Sequence, residues 1–269
     1  TADPDVAATA AAAGVDRIFV DLEERGKALR QAGRDTVISG HTLEDVSRVR
    51  ERVPAGSLLV RINPPHAGTA EEVESALAAG ADILMLPMFE SVGEVVSTAA
   101  CIGGRVAFVP LVETAAALRA VPDVVAVPGV SELYIGLNDL HFSLGRDFLF
   151  EPLAEGLLDA VAAACAQAGV PFGFGGVARV GQGDLPAEWI LGEHVRLGST
   201  AVILSRAFTH GADGGHIPGD GSALRRELDR LREVEAELRR RTPQEVSGNR
   251  RRLVRRVNEL ARAARPSPG

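Results

Sequence analysis

Lysine and cysteine are almost missing from this chain. One lysine alone, Lys27, stands among its 29 basic residues, in the charged run EERGKALR, which reads as a solvated turn or helix start. Carbonyl chemistry through a Schiff base needs a lysine desolvated beside the substrate, so that route is disfavoured. The only cysteines, Cys101 and Cys165, lie far apart and in no paired motif. That excludes a disulfide framework and a cysteine zinc site, and it fits a reducing cytoplasm. Every apolar run is broken by Gly, Pro or charge well short of a membrane span, and no signal-type segment opens the chain. A basic excess is lacking as well: the formal net charge is -7 and the pI near 5.5, with acids spread along the chain. Nucleic acid is therefore not an expected partner.

What is present is length, apolar content and alternation. With 269 residues and 46% hydrophobic content, one large core can be buried. Short β-branched runs alternate with Ala-rich stretches of helical period, the signature of a parallel sheet wrapped in helices. The joints repeat: AAAGVDRIFV, ALAAGADILML and AQAGVPFGFG each read as helix end, glycine, strand. Helix starts are marked by Asp3-Pro4 and by capping-box spacings at Thr69 with Glu72 and Ser91 with Glu94.

Strands are expected at 17–22, 36–39, 57–62, 82–87, 105–112, 132–137, 171–176 and 201–205. Eight is the (β/α)8, or TIM, barrel number. The run TVIS at 36–39 follows RIFVDL without room for a full crossover helix. If it is a loop excursion, the first barrel strand would lie before Thr1. The expected organisation is a barrel over 1–210 and a helical extension over 211–269. The extension opens with GADGGHIPGDG and continues in two Arg/Glu-rich amphipathic helices. Leu224, Leu228, Leu231, Val234 and Leu238 form one apolar stripe, and Thr242-Pro243 with Glu245 starts the second helix, bearing Leu253, Val257 and Leu260. Such a hairpin packs on its own barrel or a neighbouring subunit; NRRRLVRR leaves a partner-binding arm as the alternative.

Active sites of such barrels sit at the carboxyl ends of the strands, so polar residues ending apolar runs are the candidates. RIFVDLE ends in Glu23, LLVRINPP carries Arg61, FVPLVET ends in Glu113, and YIGLNDL delivers Asn138 and Asp139. Glu113 and Asp139 come from adjacent strands and could bind one hard cation, or each could cap the helix that follows. A metal so held can chelate the carboxylate and keto oxygens of a 2-oxo acid and stabilise the enolate left when the neighbouring C–C bond breaks. Arg61 offers a fork of donors for the same charge, or forms a structural ion pair. A proton shuttle is still required. His41 and His66 follow strand-like runs; His41 is preferred, with Glu23 or Asp21 to orient it. Gly173, Gly175 and Gly176 would either cradle a phosphate or allow close backbone packing.

In the order AAGVDRIFVDLE, VRINPP, GADILMLPMFES, VPLVET and YIGLNDLHFSLG, over about residues 3 to 145, the chain resembles the HpcH/HpaI aldolase and citrate lyase β-subunit-like enzymes of the pyruvate/phosphoenolpyruvate barrel superfamily. The resemblance implies a metal-dependent (class II) aldolase or carbon–carbon lyase handling pyruvate-like or acyl-CoA substrates, assembled as a homo-oligomeric trimer or hexamer. It implies Glu113 and Asp139 as ligands of Mg2+, Mn2+ or Co2+, and Arg61 as the enolate-stabilising arginine. The stretch Leu137, Asn138 and Asp139 would hold the substrate carboxylate through its amides. One departure concerns the base: aldolases of the family place a histidine directly after the acidic strand end, whereas His41 comes eighteen residues after Glu23. DLEE partly mimics the acidic pair of the citrate-lyase branch. The expected reaction is aldol cleavage or condensation between a 2-oxo acid and an aldehyde or ketone acceptor. Glu23, His41 and Arg61 would be the catalytic set. An acyl-CoA lyase and a non-catalytic barrel subunit are the alternatives.

Overall fold

The structure, a computed structural model, describes residues 1–26, 40–205, 208 and 221–264. Lys27, the run at 36–39 and the glycine-rich segment at 211–220 lie outside the described residues. Helices α1 (Pro4–Ala13), α2 (Leu43–Arg50), α3 (Thr69–Ala78), α4 (Val92–Ile102), α5 (Ala115–Val124), α6 (Leu137–Ser143), α7 (Glu151–Ala154), α8 (Leu157–Ala168) and α9 (Ala187–Leu197) alternate with the strands. These are β1 (Ile18–Asp21), β2 (Leu58–Arg61), β3 (Ile83–Leu86), β4 (Ala107–Val112), β5 (Leu133–Ile135), β6 (Phe172–Val177) and β7 (Ala201–Leu204). Helices α10 (Ser222–Leu238) and α11 (Pro243–Ala264) follow.

All strand pairs are parallel and sequential, β1 to β7. Among the described residues the sheet is a curled, seven-stranded half-barrel with β1 and β7 at its edges, where eight strands are expected from the sequence. Its two faces follow from the period of two along a strand. Ile18, Val20, Leu58, Val60, Leu84, Leu86, Leu133 and Ile135 point out into the main core beneath the helices. Leu59, Ile83, Met85, Val109, Leu111 and Tyr134 point inward, packed with Phe19, Ala107 and Ala201. Continuing the inward alternation past Phe19, Leu59 and Leu111 brings Asp21, Arg61 and Glu113 to the carboxyl-end mouth of the same concave face.

Tyr134 ties the inner face together. Its hydroxyl donates to Gly175 O at 2.7 Å and accepts from Ile203 N–H at 2.7 Å, joining β5 to β6 and β7. Gly173 lies under that ring: a Cβ there would come within 2.6 Å of Ala201 O and closer still to the ring. Close packing therefore accounts for this glycine.

The helix starts behave as their chemistry dictates, with one difference. Asp3 accepts from the amides of Asp5 and Val6, and Ser91 with Glu94 forms a reciprocal capping box. Thr69 does not cap: Gly68 holds the N-cap position, and Glu72 turns back to Asn63 and His66 instead. A carboxylate offered those donors has no reason to wait for a single amide.

Helices α10 and α11 pack on α1, α7 and α9 of the same chain. Leu224, Leu228, Leu231, Leu238, Leu253 and Val257 are buried there. Glu193 of α9, wholly buried, accepts from Arg196 at 2.8 Å and from Arg250 of α11 at 3.0 Å. Arg250 also donates to the last carbonyls of α7, Leu153 O and Ala154 O. Asn249 sits directly on Gly192, and its amide donates to Trp189 O. Among the described residues no helix is long and apolar enough to cross a membrane.

Candidate active site

Arg61 ends β2 and stands opposite Asp21 in the ladder. Its guanidinium grips Asp21 by two bonds, Nε to Oδ1 at 2.9 Å and Nη2 to Oδ2 at 2.8 Å. Nη2 also lies 3.2 Å from Glu23 Oε2, and Nη1 lies 3.7 Å from Glu113 Oε1. The ring of Phe19 lies 5.5 Å from the guanidinium carbon. Burial opposes the charge on Arg61, but the hydrogen bonds to Asp21 and the fields of Glu113, Asp21 and Glu23 outweigh it. They hold the guanidinium above its ordinary pKa. Asp21, Glu23 and Glu113 are all buried. Three carboxylates from β1 and β4 thus converge on one arginine.

Glu113 is placed by what it meets. It follows β4 directly and lies against Gly136, where a Cβ would be 2.7 Å from its Cγ and 2.7 Å from its Oε1. Gly136 N–H donates to Val112 O at 3.0 Å, continuing the β4–β5 ladder to this level. The chain then turns into α6, so the strand expected over 132–137 stops at Ile135 and Leu137 opens a helix. Leu137 is buried, Asn138 exposed, and Asp139 half-buried in the first turn of α6.

His41 is brought to β1. Its Nδ1 accepts from the backbone N–H of Asp21 at 3.2 Å, so the proton of the neutral ring belongs on Nε2. That amide points away from β2, because Ile18 and Leu22 are the residues whose amides bond β2 or its approach. His66 is committed elsewhere. Its Nδ1 accepts from Gly68 N–H at 2.9 Å, and Nε2 donates to Glu72 Oε2 at 3.0 Å. After β6, Arg196 pairs with Asp159 and Glu193, and Ser199 bonds His194.

Glu113 and Asp139 carry the carboxylate oxygens that a hard divalent cation of the magnesium type takes as ligands. Such an ion takes one or two carboxylates and keeps its remaining positions for water or substrate oxygens. Among the described residues no group of three or more His, Cys, Asp or Glu side chains is arranged to hold a metal. Sequence reasoning missed Asp21 as the partner of Arg61, took Glu72 only for a capping-box partner of Thr69, and did not single out Asn63 or Gly136. For Asp21 a signal existed: it is two residues past Phe19 and so shares its inward face.

Comparison with known proteins bears on the fold and the family. Several solved structures share the fold, two of which follow. The HpcH/HpaI aldolase from Desulfitobacterium hafniense DCB-2 is 20% identical, with TM-score 0.58, covering 76% of this chain and 82% of that one. The citrate lyase beta subunit from M. tuberculosis, complexed with oxaloacetate and magnesium, is 20% identical, with TM-score 0.57, covering 89% of this chain and 94% of that one. At such identities the likeness is one of fold. No curated protein sequence matches the chain. The sequence profile of the HpcH/HpaI aldolase/citrate lyase family matches residues 1–173, and the chain belongs to that family.

Proposed function

We propose that this chain is a divalent-metal-dependent aldolase that makes or breaks a carbon–carbon bond beside the enolate of pyruvate or a related 2-oxo acid. The observation that carries the reading is Arg61 held by Asp21, with Glu23 and Glu113 around it, at the carboxyl ends of β1, β2 and β4. The frame we infer is a closed (β/α)8 barrel, supported by the sequential parallel order of seven strands.

Glu113 and Asp139 would hold the cation, Mg2+, Mn2+ or Co2+. Bound there, it supplies Lewis acidity to the carboxylate and keto oxygens of the 2-oxo acid. Arg61 donates to the oxygen on which enolate charge develops. Asp21, on Nε and Nη2, and Glu23, on Nη2, together hold the fork in place, so little reorganisation is needed as charge appears. The first amides of a helix lack intrahelical acceptors, and those of Asn138 and Asp139, with Leu137 packed beneath, would receive the substrate carboxylate. His41, neutral with its proton on Nε2, is suited to donating a hydrogen bond to the acceptor oxygen as it gains charge. Taking up a second proton would require the ring to release the amide of Asp21.

Deuterium uptake at the methyl group of pyruvate in heavy water tests the reading. It should require added metal, stop with EDTA, and vanish in Arg61→Ala. Absence of exchange with Mg2+, Mn2+ and Co2+ alike would overturn it. The acidic pair Glu23–Glu24 favours a second reading, an acyl-CoA lyase. Saturable binding of free CoA would select that one, since an aldolase ignores it.

A further inference from the structure

We propose that Asn63, supported from behind by Glu72, is a positioning residue that sets the affinity of the site for its cation. The inference rests on the reading of Glu113 as a ligand. Asn63 Oδ1 accepts from two successive backbone amides of another loop, Glu24 N–H and Arg25 N–H, each at 2.9 Å. Its Nδ2 donates to Glu72 Oε1 at 2.7 Å, which fixes the amide so that the oxygen faces that loop. Asn63 N–H donates to the same Glu72 oxygen at 2.9 Å. The other oxygen of Glu72 is bound by His66, whose ring is braced by the amide of Gly68. The whole assembly joins the turn after β1 to the start of α3.

Its consequence runs through Glu23, the residue next to the pinned amide of Glu24. Glu23 and Asp21 draw Nη2 of Arg61 to one side of the mouth, at 3.2 and 2.8 Å, and leave Glu113 as the longest of the three pairings at 3.7 Å. A guanidinium fork turns as a rigid unit. If the turn carrying Glu23 loosens, Arg61 loses one of its two near carboxylates and swings toward Glu113. There it competes with the cation for the same oxygens. Asn63 thereby keeps Glu113 available by holding the turn that carries Glu23.

The test is Mn2+ titration of the metal-stripped protein, following the free-ion signal by electron paramagnetic resonance, for wild type, Asn63→Ala and Glu72→Ala. Supporting residues of metal ligands typically contribute about 10- to 100-fold in affinity, and Asn63→Ala is expected to lose at least about tenfold. Glu72→Ala should fall in the same direction and carries the test if Asn63→Ala does not fold. The Mn2+ concentration for half-maximal methyl exchange should rise by the same factor as the binding constant. A merely structural clamp would lower the melting temperature and leave Mn2+ affinity unchanged in a folded variant, and that result overturns the inference while the metal reading stands. Wild-type protein that binds no Mn2+ overturns both.

Discussion

Gly136→Ala places one methyl group where Glu113 now lies. The backbone itself accepts alanine, since Gly136 has φ -85 and ψ 88. The effect is therefore steric. The new Cβ would stand 2.7 Å from Glu113 Cγ, 2.7 Å from Oε1 and 3.1 Å from Cδ. Carbon contacts settle near about 3.5 Å, so the Glu113 side chain must retreat by about 0.8 Å. Overpacking of this kind costs about 1–3 kcal/mol, and the loss of glycine freedom in the unfolded chain returns about 0.4–1 kcal/mol. A net loss of about 1–2 kcal/mol in urea unfolding is expected. Catalysis should suffer far more, because misplacing a participating group by about 1 Å costs about 100-fold. Methyl deuterium exchange on pyruvate at saturating Mn2+ measures that loss. A variant that is destabilised as expected yet exchanges within about twofold of wild type would show that the position of Glu113 is irrelevant to the chemistry.

Three further perturbations probe the frame. Tyr134→Phe removes the hydroxyl shared by Gly175 O and Ile203 N–H; urea unfolding should show a loss of about 2 kcal/mol. Gly192→Ala drives a methyl into Asn249, whose Cγ would lie 2.9 Å away. It should destabilise by about 1–2 kcal/mol despite the better helix propensity of alanine, and Asn249→Ala in the same chain should restore most of it. His194 is buried against Phe174, and burial pushes its imidazole down to about 3 from 6.5. Between those values the unfolded chain binds a proton that the folded chain refuses, so stability falls as pH falls. From pH 7 to 5 this group alone should remove about 2 kcal/mol, and His194→Asn should flatten that dependence in urea midpoints.

Much of the fold was legible because alternation is a local property. The run expected at 105–112 is a strand over Ala107–Val112, and that at 57–62 is one over Leu58–Arg61. Failures came where one local rule concealed another. The apolar run through Leu133, Ile135 and Leu137 reads as an uninterrupted strand, yet Gly136 ends it so that Glu113 can lie across. Thr69 and Glu72 have the spacing of a capping box, but Glu72 is claimed by donors at Asn63 and His66 that are contributed by the preceding loop.

Of the candidate site, Arg61, Glu23 and Glu113 were legible as residues and illegible as partners. That Arg61, Glu23 and Glu113 end apolar runs is visible in the chain, and the concave face gathers them. Which carboxylate Arg61 grips depends on register, which places Asp21 beside Arg61 and Val20 beside Val60. A slip of one residue between β1 and β2 would set Val20 or Leu22 opposite Arg61 and turn its guanidinium away from the carboxylate that now holds it. Register is fixed by the packing of α1 and α2 beneath these strands, with Ala7, Ala10, Val46 and Val49 buried in the same core as Val20 and Val60. The ion pair at the mouth is thus specified by apolar contacts on the opposite side of the sheet, none of which carries any chemistry of its own.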